Sequence, residues 1–132
     1  MRHFLVYHYP KGLPYPVTQI PTLDAYSSKP ANEVLNARVW VVGGIEKPRV
    51  YYLGSTFVCT RLGTGTPTYG TKMSGVEGHI FGNRVIIVKE PWFEILKKST
   101  GHFAFGLTEI TDGQVIKGLV DAAKTDDYVV VP

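Results

Sequence analysis

The sequence predicts an α+β domain: a small, strongly bent or barrel-like mixed β-sheet with two to three short helices packed outside it. Three observations carry this. Residues 38–62 read as a β-hairpin, with the strand Arg38-Val39-Trp40-Val41-Val42, a turn over Gly43 to Pro48, and a long strand from Arg49 to Leu62. Both faces of the long strand are largely apolar or aromatic (Tyr51, Leu53, Ser55, Phe57, Cys59 against Val50, Tyr52, Gly54, Thr56, Val58), so both need cover. Gly54, in mid-strand and without a side chain, is suited to a bulge or a barrel corner.

The other elements follow from local pattern. Arg2 to Tyr9 alternates Phe4, Val6 and His8 with His3, Leu5 and Tyr7, which makes an opening strand. Pro10, Gly12, Pro14 and Pro16 then interrupt regular structure. Residues 17–30 keep apolar anchors (Val17, Ile20, Leu23, Tyr26) and read as an ordered loop wrapped on the domain. Pro30 to Leu35 suits a short helix capped by Ser28 or Lys29 and ended by Asn36. Residues 63–83, with six glycines and four threonines, read as a long loop, and loops of that length are usually functional or mobile. Arg84 to Lys89 returns to strand. Glu90 to Leu96 reads as a helix with Pro91 in its first position, Trp92, Ile95 and Leu96 on one face, and Lys97 and Lys98 at its negative end. His102 to Phe105 reads as a short strand. Thr111 and Gln114 have capping-box spacing ahead of a helix with Ile116, Leu119, Val120 and Ala123 on one face. Tyr128 to Val131 suits an edge strand, the natural place for a homodimer to pair.

A length of 132 residues gives one domain, 1–132, with a real core and no dividing linker. With 44% hydrophobic and 19% charged residues the chain is globular and not disordered. Cys59 is the single cysteine, which leaves no intrachain disulfide and fits a reducing, cytoplasmic setting. No apolar run approaches the ~20 residues of a membrane helix, and Met1 to Pro10 lacks a signal-peptide cleavage pattern, so no membrane partner is expected.

Charge is distributed unevenly. Residues 47–89 hold six Lys/Arg against Glu77 alone, a net of +5, whereas residues 90–132 hold four against seven, a net of −3. A polyanion would be drawn to the middle segment.

Catalytic patterns are largely missing. Gly65 to Lys72 has phosphate-loop spacing only as far as its second glycine, lacks Lys before Ser or Thr, and carries Pro67 inside the cradle. His3, His8, His79 and His102 are scattered, without zinc spacing, so neither metal nor cofactor is expected. Cys59 in mid-strand reads as a small core residue, and Asp126 and Asp127, following the last helix, read as solvated. These residues favour binding over catalysis. The aromatics (Trp40, Tyr51, Tyr52, Phe57, Trp92, Phe93, Phe103, Phe105) exceed what one small core requires, and rings of this kind either fill a barrel or stack on bases.

The order of elements resembles the PUA-like superfamily, and within it the EVE domains found alone or attached to restriction-type nucleases. Phe4-Leu5-Val6-Tyr7 followed by Pro10 looks like the opening strand, and Arg38 to Val42 like the strand after the family's Gly-Asp turn, here Asn36-Ala37. Tyr52 to Val58 looks like the return strand, and Thr108-Glu109-Ile110-Thr111-Asp112 like the closing segment. The resemblance implies a pocket at the open side of a small barrel that takes a nucleic-acid base, modified or flipped. On this reading the chain is a non-catalytic module for DNA or RNA. Trp40, Tyr51, Tyr52 and Trp92 are the candidates for stacking, Ser74 and Asn83 for the base edge, and Lys47, Arg49, Lys72 and Arg84 for phosphates. The alternative is a small-molecule-binding or enzymatic β-barrel using the same pocket, which predicts a closed, mostly apolar cavity away from basic surface.

Overall fold

The computed structural model describes residues 1–8, 23–27, 31–45, 50–65, 70–101, 103 and 107–130; of His8, Ile45 and residues 82–84 only the backbone is described. Strands β1 (His3–His8), β2 (Asp24–Ser27), β3 (Arg38–Ile45), β4 (Val50–Thr64), β5 (Thr71–Ile86) and β6 (Leu107–Ile110) form one sheet in the order β2-β5-β4-β3-β1-β6. The sheet is mixed: β1 runs parallel to β3, and every other described pairing is antiparallel. Helices α1 (Phe93–Ser99) and α2 (Gly113–Lys124) and a 3-10 turn at Asn32–Val34 complete the α+β architecture. Among the described residues no ladder joins β2 to β6, so the sheet is open and not a closed barrel. It is nevertheless curled, because β2 at one end comes back within contact of β1 near the other.

Each face of the sheet has its own core. On one face Leu5, Tyr7, Trp40, Val42 and Leu53 pack against Trp92, Phe93 and Leu96 near α1 and against Val115, Leu119 and Ala123 of α2. On the other, Phe4, Val6, Val39, Val41, Phe57 and Cys59 are covered by Ala31, Val34 and Ala37 around the 3-10 turn and by Ala25 and Met73. The expected two-sided burial of the hairpin is therefore present, and Gly54 explains how one strand serves both cores. Val41 pairs with Ser55 and Val42 with Leu53, so Gly54 is a bulge. The extra residue reverses the alternation: Leu53 joins the helix-side core, while Phe57 and Cys59, of the same parity, join the opposite one.

Residues 63–83 differ most from expectation. They are not a loop; β4 runs on to Thr64 and β5 starts at Thr71, making a long ribbon, with residues 66–69 outside the described part. The threonines are good strand formers, and two of the glycines serve close approach instead of turning the chain. A Cβ on Gly75 would fall onto the Val58 carbonyl oxygen, and one on Gly78 onto that of Thr56. Between them Glu77 sits at φ 51°, where the β4–β5 register slips by a residue.

Smaller corrections have local causes. A short strand, β2, lies within the segment expected as loop, held by the edge of β5. The expected cap residues Ser28 and Lys29 lie outside the described residues, and Ala31 heads the 3-10 turn without a side-chain cap; Asn36 ends it at φ 66°. Helix α1 begins two residues after Pro91, with Lys97 and Lys98 in its last turn as expected. Of 102–105 only Phe103 is described, and the strand in this region is β6, which pairs with β1. Helix α2 is capped by Asp112, not by Thr111, its carboxylate accepting from the amides of Gln114 (2.9 Å) and Val115 (3.2 Å). Its buried face accordingly runs through Val115, Leu119 and Ala122–Ala123, and Gly118 admits the Trp92 indole, whose ring a Cβ there would strike. Tyr128 to Val130 form no strand, so the sheet edge nearest the C-terminus is β6.

Candidate functional site

Strand alternation puts Arg38 on the same side of β3 as Trp40, facing the helices. Arg38 is fully buried, although arginine is almost never buried without a partner. Its Nη1 donates to the Glu77 carbonyl at 2.9 Å, to the Tyr128 hydroxyl at 3.1 Å and, more weakly, to Thr56 Oγ1 at 3.4 Å. The Tyr128 ring lies beneath the guanidinium, 5.8 Å from its carbon, and the Tyr128 hydroxyl donates to the Glu77 carbonyl at 2.6 Å. The Nε and Nη2 groups of Arg38 are buried and have no hydrogen-bond partner among the described residues. These two N–H groups point the same way as a parallel fork. In Arg2 the same two atoms grip the Glu109 carboxylate at 2.8 and 2.9 Å. In Arg38 the fork is empty, which costs about 1–3 kcal/mol or more for each unmet donor of a charged group.

Rings and a histidine–carboxylate hydrogen bond surround this guanidinium. His79, opposite Thr56 on β5, holds Asp126 at 2.7 Å through Nε2, and its ring stacks on Tyr128 at 5.3 Å and 18°. Asp126 is therefore not the solvated residue expected; it ties the chain after α2 back onto β5. On the other flank the Trp40 Nε1–H donates to His3 Nδ1 at 3.0 Å, with the two rings near parallel (14°). That bond requires a neutral imidazole. Burial, then the N-terminal ammonium and the Arg38 charge, all push the His3 pKa below its ordinary value. The folded protein thus binds this proton less readily than the unfolded chain, and the sign of the effect follows. The His3 contribution is intact above about pH 6.5, the ordinary imidazole value, and is lost as pH falls from there toward the lowered folded-state pKa. We expect the urea midpoint to decrease on acidification through this window and the decrease to be smaller in His3→Gln; an equal decrease in both proteins would sink the assignment.

The described residues among those expected from the sequence lie at separate places in the sheet and helices. Trp40 is fully buried, and Tyr52 is buried in the opposite core. Tyr51 belongs to a ring cluster with Tyr7, Phe93 and Phe103, its centroid 4.8 Å from that of Phe103. Neighbouring Tyr51 and Tyr52 thus serve different faces of the sheet. Trp92 lies on Gly118 at an open groove of about 570 Å³ beside α2, lined also by Glu90, Gln114, Lys117 and Asp121. Among the described residues no cation of the 47–89 segment lines that groove, and Glu90 and Asp121 there oppose a polyanion. Ser74 and Lys72 lie on β5 beside β2, where Lys72 approaches Asp24 at 3.7 Å. Lys47 and Arg49 lie outside the described residues, as do the side chains of Asn83 and Arg84. Cys59 is buried, with its thiol pKa pushed up by burial, as a core cysteine should be.

Sequence reading missed Arg38, Thr56, His79, Asp126 and Tyr128. The first carried a signal: a cation opening an apolar strand, two residues from Trp40 and therefore on its face. The others meet only through the sheet register and the turn after α2. Among the described residues no three His, Cys, Asp or Glu side chains group to hold a metal ion, and no helix is long and apolar enough to cross a membrane. No family model, curated protein or solved structure matches the chain.

Proposed function

We propose that this chain is a nucleic-acid-binding module that works without catalysis, holding the backbone on the β4–β5 ribbon and a single base at the Arg38 end of the sheet. The carrying observation is the ribbon. From Lys47 to Val76 the sequence contains no carboxylate, and the distal half of the ribbon exposes Thr60, Arg61, Gly63 and Thr64. Arg61 pairs in register with Ser74, two residues from Lys72 on the facing strand, so two cations and several hydroxyls lie close together on this part of the sheet, where β2 pairs along the outer edge of β5 and sets Asp24 beside Lys72. The acidic C-terminal third instead supplies the helices on one face of the sheet. Strands carrying cations are a known way of presenting positive charge to phosphates. The resemblance to PUA-like, EVE-type domains supports the same reading. The base is assigned to the Arg38 end, with its rings and unfilled donors, and not to the buried rings of Trp40 and Tyr52.

Binding of a short single-stranded DNA or RNA to the full chain, followed by fluorescence anisotropy across salt, tests this. The log of the affinity should fall linearly with log salt, with a slope of about −0.7 per phosphate neutralised. The double variant Arg61→Glu/Lys72→Glu should bind at least about tenfold more weakly, with a shallower slope. Affinity that is independent of salt, or unchanged in the double variant, contradicts the proposal.

A further inference from the structure

The Arg38 site is closed, and the group that closes it shows what chemistry it is built for. Tyr128 places a flat ring between His79 and the guanidinium, and its hydroxyl plays two parts: it accepts from Arg38 Nη1 and donates to the Glu77 carbonyl. A ligand replacing it must therefore be flat. To replace the Tyr128 bonds and also fill the fork that Tyr128 leaves empty, it must present acceptors to Nε and Nη2 and, next to them, a donor to the Glu77 oxygen. Carboxylates and phosphates provide acceptors but no donor, and would face that carbonyl with like charge. Adenine offers N7 beside an amino group, so one side of the fork would meet a donor. A 6-oxopurine has N7 and O6 as neighbouring acceptors and N1–H next in line, matching fork and carbonyl on one edge.

We propose that Arg38 and the Glu77 carbonyl form a recognition site for a 6-oxopurine, guanine above all, and that Tyr128 is its intramolecular occupant. This deepens the nucleic-acid reading and rests on it for the source of the base. Tyr128 can act as a displaceable plug because it is only partly buried, packing with Val130 on the margin of the helix-side core. It follows the helix in an irregular turn with Asp127 at φ 59°, it is half-buried, and Val129 beyond it is 65% exposed. Its hold includes the Glu77 and Arg38 bonds, the His79 stack, the Asp126–His79 pair, its amide bond to the Ala123 carbonyl and its packing on the helix-side core. Binding must displace the plug, so the apparent affinity is reduced by the fraction of time the site is closed.

The test uses thymidine oligonucleotides carrying one central guanine, hypoxanthine, adenine or 7-deazaguanine, with GMP and AMP as free ligands, titrated into the full chain. Guanine and hypoxanthine should be preferred over adenine by about tenfold, and 7-deazaguanine, which lacks the N7 acceptor, should lose most of that preference. GMP binding as tightly as the guanine oligonucleotide would assign the site to free nucleotides and overturn the strand as the source of the base. Arg38→Lys keeps the charge without the fork and should bind all oligonucleotides alike. Because that variant also alters a buried hydrogen-bond network, Tyr128→Phe supplies an independent arm: it leaves Arg38 intact, removes the plug's hydroxyl bonds, and should raise guanine affinity severalfold while leaving adenine unchanged. Oligonucleotide binding with a normal salt slope but no base preference, or a Tyr128→Phe variant without effect on guanine, overturns the proposal and leaves the ribbon reading standing. Absence of any oligonucleotide binding overturns that reading as well.

Discussion

Replacing Trp40 with alanine should destabilise the protein by about 3–5 kcal/mol, in the range for deleting a large buried aromatic side chain. Trp40 is fully buried at the centre of the helix-side core, next to Leu5 on the parallel neighbour β1 and Thr56 on β4. Its loss opens a cavity where β1 and β4 flank β3, a place that cannot collapse without moving three strands. Urea unfolding should show a lower midpoint at constant slope. Trp40→Phe separates packing from polarity. Most of the ring volume stays, but His3 Nδ1 loses the indole N–H that donates to it. That variant should cost less, and its His3 should titrate closer to the ordinary value, because protonation no longer breaks a bond. An alanine variant as stable as the parent would mean that the β1–β3–β4 core is not organised around this ring.

The second large effect is expected at Gly75. Alanine there would drive its Cβ into the Val58 carbonyl oxygen and against the Phe57 ring. The first obstacle is backbone, so no rotamer change relieves it; β4 and β5 must separate locally. We expect a loss of about 3 kcal/mol, the upper end of the cost of overpacking. Gly63, on the same ribbon, is the control, since a Cβ there meets nothing within 4 Å, and Gly63→Ala should stay within about 0.5 kcal/mol of the parent. Thermal or urea unfolding of the two single variants side by side reads the difference. Equal stabilities would contradict the close approach of β4 and β5 at this bulge.

Glycine also marks how far the sequence could be read. The hairpin was legible because alternation, length and bounding turns all pointed to it, and Gly54 was legible because it interrupts an otherwise consistent strand. Gly75 and Gly78 have the same physical role but lie in a stretch rich in glycine and threonine, where composition suggests a loop; only the opposing backbone of β4 shows why glycine is required. The helices were legible in place but not in phase, since a cap shifted from Thr111 to Asp112 rotates the buried stripe. At the candidate site the residue types were visible and their meeting was not. Arg38 and Trp40 share a face by simple period-two counting. His79 reaches that face only because the register slips at Glu77, and Tyr128 only because Asp127 takes a left-handed conformation. Neither event has a local sequence signal strong enough to predict it. The aromatic surplus, by contrast, is accounted for by two cores where one was assumed, which is why few of the rings remain open for a ligand.

The position of β1 has a consequence for how the chain acquires this structure. Strand β1 pairs on one side with β3 and on the other with Leu107–Ile110, more than a hundred residues later in the sequence. Closure of that pairing is among the longest loops the chain can make, and such contacts slow the folding of domains dominated by them. During translation β1, β3, β4 and β5 can assemble early, but one edge of β1 and the face awaiting α2 stay uncovered until the last quarter of the chain emerges. Nascent chains truncated before Leu107 should therefore be the species most dependent on chaperones and most prone to pair edge to edge.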